Sequence, residues 1–155
     1  MEQIEVVRYI VDYGVLGLLG ILSIISIALG IERAVFYRRI SLGAYSHPKE
    51  LELALTQRLS PIATIGSSAP YIGLLGTVLS IMLTFYAIGE HGGDIDAGII
   101  MKDLALALKA TAAGLLVAIP ATAIYNALLT GVERSIASWE IMQDKRDDTN
   151  ETFEI

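Results

Sequence analysis

Three stretches of this chain carry no charged residue: residues 13–31, 59–89 and 110–132. They run to 19, 31 and 23 residues, and a helix needs roughly 20 apolar residues to cross the hydrocarbon core of a bilayer. The rest of the composition agrees, because 54% of the 155 residues are hydrophobic and 18% are charged, against about 25% charged in soluble domains. The expected fold is therefore all-α, an integral membrane protein with three transmembrane helices.

The first span is not built like a secretory signal. It is preceded by "MEQIEVVRYIVD", which opens on acids, and no small-residue cleavage site follows the apolar run; it is expected to be retained as an anchor. Basic residues set the orientation. The connection after the first span holds Arg33, Arg38, Arg39, Lys49 and Arg58, whereas "EHGGDIDAG" between the second and third holds none. The first connection is thus expected in the cytoplasm, with the N-terminus outside and the C-terminus inside. The implied division is an outer amphipathic segment at 1–12, spans at 13–33, 61–89 and 99–132, a cytoplasmic connection at 34–60, an outer loop at 90–98 and a cytoplasmic helical extension and tail at 133–155. Ile4, Val7 and Ile10 or Val11 recur at helical spacing in the first segment, consistent with a short helix lying on the outer surface and equally with an ordinary frayed terminus.

Several kinds of chemistry are excluded. There is no cysteine, hence no disulfide, thiolate ligand or cysteine nucleophile. The two histidines, His47 and His91, fall on opposite sides of the expected membrane and read as loop residues, so no metal or other cofactor is expected. A net charge of -6 lacks the basic footprint of nucleic-acid binding. No nucleophile–base–acid set or phosphate loop is present, so the chain is not expected to be an enzyme. His47-Pro48 reads as a turn entering a short helix. Beyond the third span, Ile136, Trp139 and Met142 share a helical face suited to neighbours in a ring, and the tail after Asp147 is expected to be unstructured.

Inside the spans, polar residues follow a pattern. In the second, Gly73, Thr77, Ser80 and Thr84 recur every three or four residues and share one face; in the third, Thr111, Gly114 or Leu115, Ala118, Thr122 and Tyr125 or Asn126 do the same. Leu79, Met82, Leu83 and Phe85, with Leu116, Val117, Ile119 and Ile124, occupy the opposite faces. Small residues let helices approach closely, and a threonine can bond its own backbone one turn back. The same stripes could line a narrow polar path, and spacing alone does not choose. Pro70 and Pro120 each free a carbonyl that a hydroxyl, neighbour or water must satisfy. Lys109 either snorkels outward, toward Asp103 or the acidic loop, or faces a protein-lined cavity.

The segments "APYIGLLGTVLSIMLTF" and "ALKATAAGLLVAIPATAIYN" resemble the second and third transmembrane helices of the MotA/TolQ/ExbB proton-channel family, closest to ExbB and TolQ. The resemblance implies an energy transducer: a homo-oligomer, a pentamer in ExbB-type members, surrounding single-span ExbD-like partners whose membrane aspartate carries the proton. Such complexes act on a TonB-like protein in the bacterial inner membrane to energise outer-membrane import. The family's two threonines facing that aspartate fall on Thr77 and Thr111. Ser80 and Thr84 would extend this pore-lining face, with Lys109 near it, while Pro70, Pro120, Gly73 and Gly114 would shape the helices; Asn126 belongs to the same third-helix pattern. Many relatives carry a glutamate five residues before the threonine, where this chain has Leu106. No Asp or Glu lies inside the three uncharged runs, so a proton carrier at mid-membrane would have to come from a partner. The competing readings are a TolQ-like subunit and a passive membrane scaffold without ion flow.

Overall fold

A computed structural model describes residues 2–90 and 96–153, with side chains over 6–90 and 96–146. His91 and most of the expected loop at 90–98 lie outside the described residues. The elements are α1 (Glu2–Arg39), a 3-10 turn (Leu42–Ala44), α2 (Pro48–Thr56), α3 (Leu59–Glu90) and α4 (Ala97–Phe153). Among the described residues, three helices are long and apolar enough to cross a membrane, over Val6–Arg39, Leu59–Glu90 and Ala97–Arg146.

The helix limits have local causes. α1 ends with Arg38 and Arg39 in its last turn, where cations complement the helix dipole. α2 begins with Pro48 after an extended His47, the position where a missing N–H costs nothing. Arg58 has a φ of 65°, and this left-handed residue separates α2 from α3. At the start of α4 the Gly98 N–H donates to Asp96 Oδ1 at 2.8 Å, satisfying one of the free donors of the first turn. Helices of 38, 32 and 57 residues span about 57, 48 and 86 Å at 1.5 Å per residue. All three outrun a hydrocarbon core of about 30 Å, α4 by the most.

Two expectations need correction. Residues 1–12 do not form a separate surface helix, because α1 runs unbroken from Glu2 through the first span. The tail expected to be unstructured after Asp147 is helical as far as Phe153, since no glycine or proline interrupts the run from Gly131 onward.

α1, α3 and α4 form a three-helix bundle, with the N-terminal end of α1 beside the C-terminal part of α3 and the start of α4. Its core has two parts. Leu19, Ile65, Ala69, Val117, Ala118 and Ala121 pack between the long helices. In lipid such contacts gain little from apolar burial, because acyl chains are as apolar as leucine, so small residues and close packing carry the association. At the opposite end, Leu51, Leu55, Leu59, Ile62, Leu128, Val132 and Trp139 form a head built on α2. Leu51 and Leu55 of α2 lie outside the three spans, and for them the hydrophobic effect contributes about 1.5–3 kcal/mol for each fully buried side chain.

Nine residues make too short a helix to persist alone, and α2 is held by α1. Tyr37 donates to the Leu55 carbonyl at 2.7 Å and Arg33 to the Ala54 carbonyl at 3.4 Å, covering two of the free acceptors at its C-terminus. Trp139 Nε1 donates to the Tyr45 carbonyl at 3.1 Å. Trp139 is therefore part of its own subunit's head, with only 7% of its surface exposed, and is not free to pack against a neighbour as its spacing suggested. Leu116 and Ile119, by contrast, are 76% and 68% exposed, an arrangement that suits lipid or another subunit and not water.

Candidate functional site

The site begins where α3 and α4 cross. A Cβ added to Gly73 would stand 2.6 Å from the Ala110 carbonyl oxygen and 3.1 Å from the Gly114 Cα, and one on Gly114 would stand 2.6 Å from the Ala69 oxygen. The two 2.6 Å approaches are closer than real Cβ atoms come. Only glycine at both positions allows this approach of the two backbones. Pro70 and Pro120 lie inside continuous helices, so neither ends its helix.

One turn from the crossing, toward the α3–α4 connection, Thr77 and Thr111 meet with hydroxyl oxygens 2.6 Å apart. Thr77 Oγ1 also lies 3.1 Å from the Ala107 carbonyl and 3.3 Å from the Gly73 carbonyl. Each hydroxyl has a single proton to donate. The shorter contacts are met together when Thr77 donates to Ala107 and Thr111 donates to Thr77. The reverse arrangement has Thr77 donating to Thr111 and Thr111 to the Gly73 carbonyl at 3.5 Å. The pair thus has two proton arrangements available with its heavy atoms fixed. Thr77 is buried and Thr111 is half-buried, so an approaching group reaches Thr111 first and Thr77 behind it.

The stripe continues toward the N-terminal end of α1. Ser80 Oγ donates to Asp12 Oδ1 at 2.6 Å. A turn further, Arg8 donates to Asp103 Oδ2 at 2.7 Å and to the Thr84 hydroxyl at 3.2 Å, tying all three long helices together. Thr84 itself donates to the Ser80 carbonyl at 3.0 Å. Ser80 and Thr84 are 5% and 3% exposed, so within the subunit they face α1 and not an open surface. Sequence reasoning missed Arg8, Asp12 and Asp103 as members of this ladder. The available signal was register: Arg8 and Asp12 are four apart on one helix, as are Ser80 and Thr84 on another, so two such rows can meet side by side.

Lys109 is exposed. It stands two residues, about 200° of helical turn, from Thr111, and so lies off the hydroxyl stripe. Asp103, one of the groups toward which Lys109 could snorkel, is engaged by Arg8 and stands six residues from it on α4, about 240° round the helix. Leu106, at the position where relatives were expected to carry a glutamate, is 51% exposed. Among the described residues no group of three or more Asp, Glu, His or Cys could hold a metal ion.

These features define a multi-pass helical membrane protein with a row of hydroxyls and charged groups sealed between its spans. Residues 31–141 match the MotA/TolQ/ExbB proton channel family, and the chain belongs to this family. It is 52% identical over 140 residues to a biopolymer transport protein ExbB-like 2 of Helicobacter pylori, an overlap covering 90% of this chain and 93% of that protein. With the biopolymer transport protein ExbB of Aquifex aeolicus it shares 45% identity over 147 residues, covering 95% and 99%. A longer ExbB, from Pseudomonas putida, matches at 44% over 79 residues, 51% of this chain and 22% of that protein.

Proposed function

We propose that this chain is the ring-forming subunit of a proton-driven transducer in the bacterial inner membrane. The N-terminus and the α3–α4 connection face outward and the α2 head faces the cytoplasm, in keeping with the basic residues of the first connection. Copies of the chain, five in ExbB-type assemblies, surround single-span ExbD-like helices, and a membrane carboxylate on those helices carries the proton. The complex acts on a TonB-like protein to energise import across the outer membrane. Kinship with proteins named biopolymer transport protein ExbB supports this role over a TolQ-like one.

The observation that carries the reading is the Thr77–Thr111 pair. It is a hydroxyl couple with two proton arrangements, beside a glycine crossing, in a chain with no acid inside its uncharged runs. A partner's carboxylate approaching Thr111 receives hydrogen bonds when ionised and loses its need for them when protonated. Protonation therefore changes how strongly the ring holds the partner. Each charge moved through the membrane potential releases about 2.3 kcal/mol per 100 mV, so a few protons suffice to drive a conformational step.

Co-expression with the single-span, carboxylate-bearing subunit from the same organism, followed by native mass spectrometry, tests the assembly. A ring holding a smaller number of partner chains is expected. A homo-oligomer that never retains such a partner would leave the chain without a proton carrier and favour the scaffold.

A further inference from the structure

We propose that Asp12 is a proton-relay carboxylate of this chain, taking protons from water at the α1 N-terminal end and passing them by way of Ser80 toward Thr77 and Thr111. The assignment rests on the transducer reading above and gives that pathway its entry.

Four observations converge on it. Asp12 is half-buried at the edge of the first uncharged run and is directed into the bundle, where it accepts the Ser80 hydroxyl at 2.6 Å. Among the described residues it has no ion-pair partner. The nearby cation, Arg8 one turn away on α1, is turned to Asp103 of α4 and to Thr84 of α3. Arg8, Asp103 and the Thr84 and Ser80 hydroxyls are the charged and polar groups of this ladder. Ser80 is buried on the same face of α3 as Thr77, three residues away, a rise of about 4.5 Å along the axis, and the proposed relay includes one water between the two hydroxyls. Beyond Thr77 the Gly73–Gly114 contact brings the backbones together, so the row of hydroxyls ends at the threonine pair.

A simple fastening between helices does not account for the residue type. An asparagine would accept the Ser80 proton equally well without placing an unpaired charge against a membrane bundle. A carboxylate adds the capacity to hold a proton and give it up.

The relay balances. A hydronium ion protonates the Asp12 carboxylate and departs as water. The neutral acid then donates to Ser80 Oγ, and the Ser80 proton passes through the bridging water to the threonine pair and on to the ionised carboxylate of the partner helix. Asp12 is ionised again, one proton has moved, no electrons are transferred, and rotation of the hydroxyls resets the row.

The test uses the complex of this chain with its partner in proteoliposomes, an entrapped pH-sensitive dye and an acid jump on the Asp12 side. Asp12→Asn should lower proton flux roughly a hundredfold, the scale of a lost proton-transfer group. Subunit ratio and melting temperature should stay unchanged. Asp12→Glu should recover most of the flux. Wild-type flux in Asp12→Asn, or a loss that glutamate does not restore, overturns the relay while leaving the transducer reading intact. A wild-type complex that carries no protons refutes the transducer reading and the relay with it.

Discussion

Replacing Thr111 with valine separates a conducting role from a packing role. The branched shape at Cβ is retained and one oxygen is lost. The 2.6 Å contact with Thr77 disappears, yet Thr77 still has the Ala107 carbonyl at 3.1 Å, so no buried donor is stranded. Interhelical hydrogen bonds in membranes are worth about 0.6 kcal/mol on average, which corresponds to about a threefold change in an equilibrium. If the hydroxyl only fastens α3 to α4, the fraction of assembled complex and its activity should fall together by about that factor. If the hydroxyl hands protons to a partner's carboxylate, assembly should be nearly unchanged while flux falls roughly a hundredfold. Thr111→Ser, which keeps the oxygen, should retain most of the flux. The assay pairs native mass spectrometry of the complex with dye-reported proton flux in proteoliposomes. A flux loss in Thr111→Val no larger than the loss of complex would refute the reasoning.

Three further perturbations probe the frame that holds the pair. Gly73→Ala places a methyl 2.6 Å from the Ala110 carbonyl and should destabilise the bundle by about 1–3 kcal/mol, read as a lower melting temperature in detergent; Gly43→Ala, with nothing within 4 Å, should leave it unchanged. Leu55→Ala empties a fully buried position in the α2 head and should cost about 2–5 kcal/mol, with amide exchange in α2 rising before that of the membrane helices. A double-mutant cycle of Arg8→Met with Asp103→Asn should give a coupling of up to about 1 kcal/mol, because the side chains are 29% and 20% exposed and solvent screens the pair; a coupling near zero would mean that this contact does not fasten the helices.

Much of the fold was legible because charge-free length is a direct consequence of the bilayer. The close approach at Gly73 and Gly114 was legible too, because in a membrane span small residues are the main device for bringing backbones together. Periodicity assigned Ser80 and Thr84 to one face of α3 but could not say which helix that face meets. The structure turns them to α1, whose Arg8 and Asp12 sit in a stretch that reads as an amphipathic end when taken alone. Asp103 illustrates the same limit: nothing in its spacing on α4 indicated that it would meet Arg8 of another helix. Trp139 shared a face with Ile136 and Met142, and only the fold of the 3-10 turn beside it, which presents the Tyr45 carbonyl, made it an internal anchor.

Proton flux through the assembled complex tests the central claim most directly. Proteoliposomes holding this chain with its single-span partner, this chain alone, and this chain with a partner whose membrane carboxylate is replaced by its amide should be compared under the same imposed potential. Protons should cross in the first case and fall to the leak of empty liposomes in the other two. Equal flux through the chain alone, or none through the intact complex, would contradict a pathway in which Thr77 and Thr111 serve a carboxylate supplied by a partner.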